Sequence, residues 1–306
     1  MNKDKYAPIS ITVYDRVWHL KKCIESLLKN KESGASDLYI FSDGPKLGDE
    51  EKILEVRKYI DTITGFKNVH KVYQSSNSYA VNVEMALEVP IRRNGKIIIM
   101  EDDVVVDHTF LHFMNVCLDK YETYDDVFMI SGYADDVNER VNSGEAGAYY
   151  CMSASGFGLW ESKFRSYFEE YSASHPYLKI RKTFFSTFKY LITHKIADLL
   201  HMRKSYLQGN YYGDLAIGEY MLRKRMSSIF PALTLTLNRG YDGTGIHCGI
   251  NQAYIDRGFK VSDCELILPD NFSKISIVWE TMKYHYERFS IIGEIRSLVT
   301  LLKIRS

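Results

Sequence analysis

Residues 97–106 read Ile-Ile-Ile-Met-Glu-Asp-Asp-Val-Val-Val, an apolar run interrupted by three adjacent carboxylates. A short run rich in β-branched residues is typical of a buried strand. Glu101, Asp102 and Asp103 would repel one another, and burying them would be costly unless a positive charge joined them. A divalent cation bound to a polyphosphate has that charge, because hard cations prefer oxygen ligands. The simpler alternative is an acidic loop that faces water.

Strand and helix patterns alternate on both sides of this stretch. The first 130 residues predict strands at 9–13, 38–41, 69–73, 96–100 and 127–131, and apolar helical stripes at 17–27, 49–63, 80–89 and 109–121. Repeated strand–helix–strand units predict an α/β fold in which a mostly parallel sheet is flanked by helices. Such sheets bind ligands at the carboxyl ends of their strands, which is where the three carboxylates stand.

The turn after the first strand argues against two common nucleotide-binding classes. Residues 13–16 read Val-Tyr-Asp-Arg where a dinucleotide-binding protein would have GxGxxG, and the chain has no P-loop motif. The glycines of both motifs let the backbone approach phosphate groups closely. Their absence argues against a nicotinamide or flavin enzyme of Rossmann type and against an ordinary P-loop NTPase.

Charge is balanced overall but segregated along the chain of 306 residues. The 39 Lys and Arg equal the 39 Asp and Glu, which excludes a generally basic nucleic-acid binder. Residues 101–170 contain 15 acidic and four basic side chains, whereas residues 177–206 contain seven basic and one acidic. The basic insertion 177–206 is interleaved with aromatic residues, so it is a candidate to bind an acidic acceptor or an anionic membrane surface. The alternative is a solvated helical face.

The cysteines and the apolar runs indicate a compartment. The five cysteines are an odd number without a CxxC pair, which favours a reducing environment over a disulfide framework. The polar start of the chain does not resemble a signal peptide, and no apolar run reaches the roughly 18 residues of a membrane span. These features predict a cytoplasmic protein, with peripheral contact at the inner face of the membrane left open.

Several stretches resemble, in the same order, the GT-A glycosyltransferases. The closest type is the inverting enzyme N-acetylglucosaminyltransferase I and its bacterial, family 2-like relatives, whose DxD-type motif reads EDD. The matching stretches are residues 97–106, the first strand with Arg16, the second strand with Asp43, the Gly-rich segment 155–160, Tyr212-Gly-Asp-Leu215 and the Gly-rich loop that ends at His247. Together they lie within roughly residues 8–250.

The resemblance implies a metal-dependent, inverting glycosyltransferase. The enzyme would move a hexosyl or N-acetylhexosaminyl group from a nucleotide sugar, UDP-linked in that family, to a hydroxyl of a glycan or lipid-linked acceptor in surface glycan or polysaccharide biosynthesis. Asp103 would bind Mn²⁺ or Mg²⁺, while Asp102 would hold the ribose and Glu101 the transferred sugar. Arg16 and Asp43 would contact the nucleotide. Their alternatives are an Arg that pairs with nearby acids and an Asp that shapes a turn before Gly44.

Two further roles lie in the second half of the chain. Asp214 is the candidate catalytic base and Glu219 the second choice, whereas Asp214 could instead only cap the helix that begins at Leu215. His247 lies among glycines that permit a mobile loop, so it is a candidate to contact the donor phosphates or the metal. The alternative for His247 is a solvated side chain in an ordinary loop.

The resemblance also divides the chain. Residues 1–250 would form the GT-A domain, with a nucleotide-sugar-binding half at about 1–130 and an acceptor-side half at 131–250. Beyond the stretches that carry the resemblance, apolar residues at helical spacing predict a C-terminal helical tail in residues 251–306. The alternatives in function are a sugar nucleotidyltransferase and a non-catalytic relative that binds carbohydrate or nucleotide.

Overall fold

The computed structural model describes residues 6–134, 143–209, 213–245, 249–261 and 264–286. Its strands are β1 Ile9–Val13, β2 Leu38–Ser42, β3 Val69–Tyr73, β4 Lys96–Glu101, β5 Val104–Val106, β6 Val127–Ser131, β7 Gly147–Tyr149, β8 Phe157–Trp160, β9 Ser227–Phe230 and β10 Thr236–Asn238. Its helices are α1 Val17–Leu27, α2 Glu50–Thr62, α3 Tyr79–Asn94, α4 Phe110–Lys120, α5 Glu161–Ala173, α6 Pro176–Ile180, α7 Phe184–Thr193, α8 Ile196–Gln208, α9 Gly213–Lys224, α10 Gln252–Ile255 and α11 Lys274–Tyr286.

The described strands form an eight-stranded sheet and a two-stranded ribbon. The sheet order is β3-β2-β1-β4-β8-β6-β9-β7, and the ribbon pairs β10 with β5. Strands β1 to β4 are parallel, β8 runs antiparallel between β4 and β6, and β7 runs antiparallel to β9. Because β8 is antiparallel to both β4 and β6, β6 points the same way as β4, and β9 is parallel to β6. Six of the eight strands therefore point the same way. The predicted α/β fold with a mostly parallel sheet flanked by helices is confirmed.

The apolar run before the carboxylates is buried on both faces of the sheet. Ile98 and Met100 belong to the core that also contains helices α1 and α4, while Ile97 and Ile99 belong to the core on the side of α3. A fully buried Ile or Met side chain contributes roughly 1.5–3 kcal/mol relative to an exposed one. Burial on both faces explains why this strand is a continuous apolar run rather than an alternating one.

The second half of the chain completes the same sheet rather than forming a separate layer. Strands β6 to β9 all lie in it, and the basic insertion 177–206 folds into α6, α7 and most of α8. Strand β10, by contrast, lies outside this sheet and pairs with β5. Of the predicted tail, the structure describes α10 and α11, and residues 287–306 lie outside the described residues. Helix α11 is tied to the sheet edge, since Thr281 accepts a hydrogen bond from the Tyr150 N–H at 2.8 Å.

No helix in the described ranges is both long enough and apolar enough to cross a membrane.

Candidate active site

Parallel pairing brings the predicted site residues of three strands to one edge. Thr12 of β1 lies opposite Glu101 of β4, and Val13 lies opposite Ser42 of β2. The residues that follow these strands are therefore neighbours, although they are far apart in the sequence. Arg16, Asp43 and the segment Glu101 to Asp103 meet at this edge.

Arg16 pairs with two of the three carboxylates. Its Nη2 lies 2.5 Å from Asp102 Oδ1, and its Nη1 lies 2.9 Å from Asp103 Oδ2. Both aspartates are buried, at 4% and 7% exposure. Burial raises the pKa of Asp102 to about 7, although the charge of Arg16 opposes that shift. Burial, followed by the charges of Asp103 and Asp102, raises the pKa of Glu101 to about 7. The cluster would therefore be stabilised by further positive charge.

Two buried oxygens of this cluster fit a bound cation. Asp102 Oδ2 and Asp103 Oδ1 are buried without a hydrogen-bond partner, and a buried unsatisfied carboxylate oxygen is costly. Within the described ranges no group of three or more His, Cys, Asp or Glu side chains forms a ready cation site. A cation here would take one or two carboxylate oxygens from the chain. Mg²⁺ commonly binds in this way, completing its shell with water and substrate phosphates.

Asp43 holds the loop that follows β3. Its Oδ1 accepts hydrogen bonds from the N–H of Gly44 and of Ser78 at 2.8 and 2.9 Å, and its Oδ2 accepts one from Asn77 Nδ2 at 3.1 Å. A carboxylate has about four acceptor sites, so one is left for a ligand. A Cβ on Gly44 would lie 2.3 Å from the Ser76 carbonyl carbon, which explains the glycine at this position. The structure thus shows the turn-shaping role, and the nucleotide role stays a prediction.

Tyr79 was missed by sequence reasoning. It is the first residue of α3 and is exposed, and Ser78 is the N-cap residue of that helix. Desolvation, followed by the charges of Glu101, Asp214 and Asp103, raises the pKa of Tyr79. Its phenol therefore lies in the field of the same carboxylates. An aromatic residue directly after the cap of a site-facing helix is the signal that could have found it.

The two candidate bases on α9 differ in exposure and in hydrogen bonding. Asp214 is exposed in the first turn, where its Oδ1 accepts from the Leu215 N–H at 2.8 Å, and its charge acts on the Glu101 carboxyl. Glu219 is 5% exposed and accepts from Arg223 Nε at 2.8 Å. Burial raises the pKa of Glu219, while Arg223 opposes the shift. Because Glu219 is enclosed and already paired, the geometry favours Asp214 over it.

The first part of the Gly-rich loop is packed against the acidic cluster. The Arg239 N–H donates to the Asp103 carbonyl at 2.7 Å, and a Cβ on Gly240 would lie 2.4 Å from Asp103 Oδ2. His19 Nε2 lies 3.1 Å from Asp242 Oδ2 and ties the loop to α1. His247 lies outside the described residues, so its predicted role stays a prediction.

A cavity of about 120 Å³ opens beside this loop. It brings together Tyr133 after β6, Ser155 before β8, Asn238 and Tyr241 next to Gly240, and Tyr254 and Arg257 from the segment beyond the loop. Sequence reasoning missed Tyr133, Tyr254 and Arg257, because they come from segments without a recognisable motif.

One lysine of the basic insertion is paired with a glutamate of α5. Lys179 Nζ lies 3.1 Å from Glu170 Oε1, and the same carboxylate also pairs with Arg223 and Lys224. Phe188, by contrast, is 52% exposed. The predicted contact of this insertion with an acceptor or a membrane stays a prediction.

Comparison with known families supports a glycosyltransferase. Residues 88–214 match the model of Glycosyltransferase family 25, described as an LPS biosynthesis protein. The matched segment runs from α3 through the carboxylates of β4 to Asp214. The narrower resemblance to N-acetylglucosaminyltransferase I stays a prediction. No curated protein sequence matches the chain.

The solved structures to which the chain is similar include the following three, all at low sequence identity and low TM-score. Staphylococcus aureus TarS is 9% identical over 53% of this chain and 29% of its own, with a TM-score of 0.38. The mannosyltransferase PcManGT from Pyrobaculum calidifontis, in complex with GDP-Man and Mn²⁺, is 11% identical over 53% and 47%, with a TM-score of 0.37. An active-site mutant of LgtC is 12% identical over 73% of this chain and 72% of its own, with a TM-score of 0.37. The chain thus spans less than half the length of the first two.

Proposed function

We propose that the protein is a GT-A-type, metal-dependent inverting glycosyltransferase. It would transfer a hexosyl or N-acetylhexosaminyl group from a UDP-linked sugar to a hydroxyl of a glycan or lipid-linked acceptor. The observation that carries the proposal is the pair of buried, unpartnered oxygens of Asp102 and Asp103 at the carboxyl end of β4. They lie inside the segment that matches a glycosyltransferase family.

The donor would bind along the strand edge. Asp43 would accept a hydrogen bond from the base through its remaining acceptor site, while Asp102 would hold the ribose and Glu101 the transferred sugar. Asp103 would hold Mn²⁺ or Mg²⁺, with His247 as a second candidate ligand; the bound cation would stabilise negative charge on the diphosphate. The Arg16 guanidinium now pairs with both Asp102 and Asp103. With a donor bound, some of its N–H groups would bind the donor instead.

Asp214 would act as the base of a single displacement. Its carboxylate would take the proton of the acceptor hydroxyl while that oxygen forms a bond to the anomeric carbon. The bond from this carbon to the diphosphate oxygen breaks as the electron pair leaves with the diphosphate, so the configuration inverts. A positioned base of this kind contributes roughly 10²–10⁴-fold to the rate. Exposure of Asp214 at the start of α9 supports this role, because the acceptor must reach it from solvent.

We also propose a cytoplasmic location for this reaction, with the basic insertion and α11 touching the inner face of the membrane. The described cysteines Cys23, Cys117, Cys151 and Cys264 are free thiols, which supports a reducing compartment. Trp279 and Ile275 of α11 are exposed, as expected for a helix that touches a lipid surface.

Thermal unfolding with nucleotide and metal tests the proposal. UDP with Mn²⁺ should stabilise the protein by about 2.7 kcal/mol at about 100 times the dissociation constant, whereas UDP alone should do much less. Asp103→Asn should remove the metal-dependent part, while Asp125→Asn, a change at an exposed aspartate, should retain it. A screen of UDP- and GDP-linked sugars for metal-dependent hydrolysis should then name the donor. Absence of any metal-dependent stabilisation would refute the proposed function.

A further inference from the structure

The cavity beside the Gly-rich loop shares a wall with the acidic cluster. Asn238 and Tyr241 line it, and they flank Gly240, which lies against Asp103. Consecutive Cα atoms are about 3.8 Å apart, so these lining residues lie within about 8 Å of Gly240. A ligand in the cavity would therefore be a close neighbour of a donor held at Asp103.

The lining combines aromatic faces with hydrogen-bonding groups. Tyr241 stacks on Tyr254 with ring centroids 4.2 Å apart, and Tyr133 forms another wall together with Ser155. Aromatic faces beside a few directed polar groups are typical of small-molecule sites. The volume of about 120 Å³ is roughly four times that of a water molecule in the liquid. This volume encloses a carboxylate or phosphate group, and the sugar ring that carries the group would extend out of the open side of the cavity.

The charge of the cavity comes from Arg257, since the other residues that line it within the described part of the chain are uncharged. The Arg257 guanidinium lies 5.6 Å from the centre of the Tyr133 ring. It donates to the Tyr133 hydroxyl at 3.4 Å and to the Ala134 carbonyl at 3.3 Å. These contacts orient the guanidinium at the wall of the cavity, and an ionised oxygen accepts shorter and stronger hydrogen bonds from arginine than a neutral oxygen does.

We propose that this cavity is an acceptor subsite for a sugar residue that carries an anionic group, a carboxylate or a phosphate, bound by Arg257. The inference rests on the proposed function, because only a donor at Asp103 makes the occupant an acceptor. Arginine binds both groups through a planar fork of N–H donors. It also offsets the negative field of the nearby carboxylates, which would otherwise repel an anionic acceptor.

Binding of three small probes tests the chemistry without requiring turnover. Methyl glucoside, methyl glucuronide and glucose 6-phosphate share one ring and differ in charge. Ligand-observed NMR titrations of the full chain should show at least one anionic probe binding about tenfold more tightly than the neutral one. The tighter of the two anionic probes distinguishes a carboxylate from a phosphate.

Variants assign the preference to the cavity. Arg257→Gln should abolish the preference while methyl glucoside binds as before, and Arg257→Lys should retain most of it. Arg165→Gln removes the same charge from an exposed position on α5 and should change nothing. Equal affinity for all three probes, no binding of the anionic probes, or a preference that survives Arg257→Gln would overturn the proposal. Metal-dependent donor hydrolysis by the wild type needs no acceptor, so it tests the proposed function separately.

Discussion

Gly240→Ala tests the geometry of the acidic cluster without removing any of its charges. A Cβ at this position would lie 2.4 Å from Asp103 Oδ2 and 3.2 Å from Asp103 Cγ. Ordinary van der Waals contact begins at about 3.4 Å, so the carboxylate oxygen would have to move by about 1 Å. The backbone itself tolerates alanine, because the φ of Gly240 lies outside the left-handed region.

The displacement should weaken the site much more than the fold. Asp103 is a short, buried side chain held by Arg16, so it has little freedom to turn away. Overpacking of this kind costs about 1–3 kcal/mol of stability. A misplacement of about 1 Å can lower a rate about 10²-fold, and changes beside a metal ligand lower metal affinity by about 10–100-fold.

Two measurements on each protein separate these effects. Mn²⁺ titration in the presence of UDP gives the metal affinity, and urea unfolding without ligands gives the stability. Gly34→Ala is the matched control, because Gly34 is exposed and the nearest atom to its Cβ would lie 4.0 Å away. A folded Gly240→Ala protein that binds Mn²⁺ within about twofold of the wild type would refute the reasoning, since a displaced metal ligand should weaken Mn²⁺ binding by at least about tenfold.

Three further predictions follow from single contacts. Asp214→Asn should leave UDP and Mn²⁺ binding intact and lower transfer by about 10²–10⁴-fold, measured as sugar incorporated into acceptor; near-normal transfer would remove Asp214 from the role of base. Arg16→Ala should destabilise the metal-free protein by about 3 kcal/mol in urea unfolding, because it leaves buried carboxylates uncompensated, and Mn²⁺ should restore part of the loss; an unchanged midpoint would contradict this. Glu170→Gln should remove stability that depends on pH: against the effect of burial, hydrogen bonds from Lys224 and Lys179 lower the pKa of Glu170 to about 2. The ionised form therefore contributes about 1–2 kcal/mol of stability above pH 4.5, the ordinary pKa of a glutamate, and this contribution is lost as the pH falls toward 2. Between these pH values the Glu170→Gln variant should lose less stability than the wild type or the Glu169→Gln control.

The helices and strands of the first half follow from local patterns. The strands at 9–13, 69–73 and 127–131 were predicted at the bounds that the structure shows. The spacing of apolar residues that marks a strand or an amphipathic helix is visible within a short stretch of sequence. Helix α3 is longer than predicted, since it continues through Pro90 to Asn94. A proline lowers helix propensity locally, and packing of Ala86 and Ile91 on the sheet outweighs it.

The acidic cluster itself was also visible in the sequence. Three carboxylates at the end of a buried strand indicate cation binding, and they also indicate where the site lies, because the carboxyl ends of parallel strands share one edge of the sheet. The partners of the cluster were not visible in the same way. Arg16 was predicted to contact a nucleotide, and only the structure shows that it bridges Asp102 and Asp103.

The sequence by itself therefore determined the class of fold, the strand edge and the carboxylates that could bind a cation. Only the tertiary structure decided that β8 is inserted between β4 and β6, that Glu219 is enclosed, that Gly240 lies against Asp103, and that Arg257 meets three tyrosines in one cavity. The physical reason is the range of the interactions. Periodicity and turn chemistry act over a few residues, whereas strand order and cavity walls depend on contacts between segments that lie tens to hundreds of residues apart.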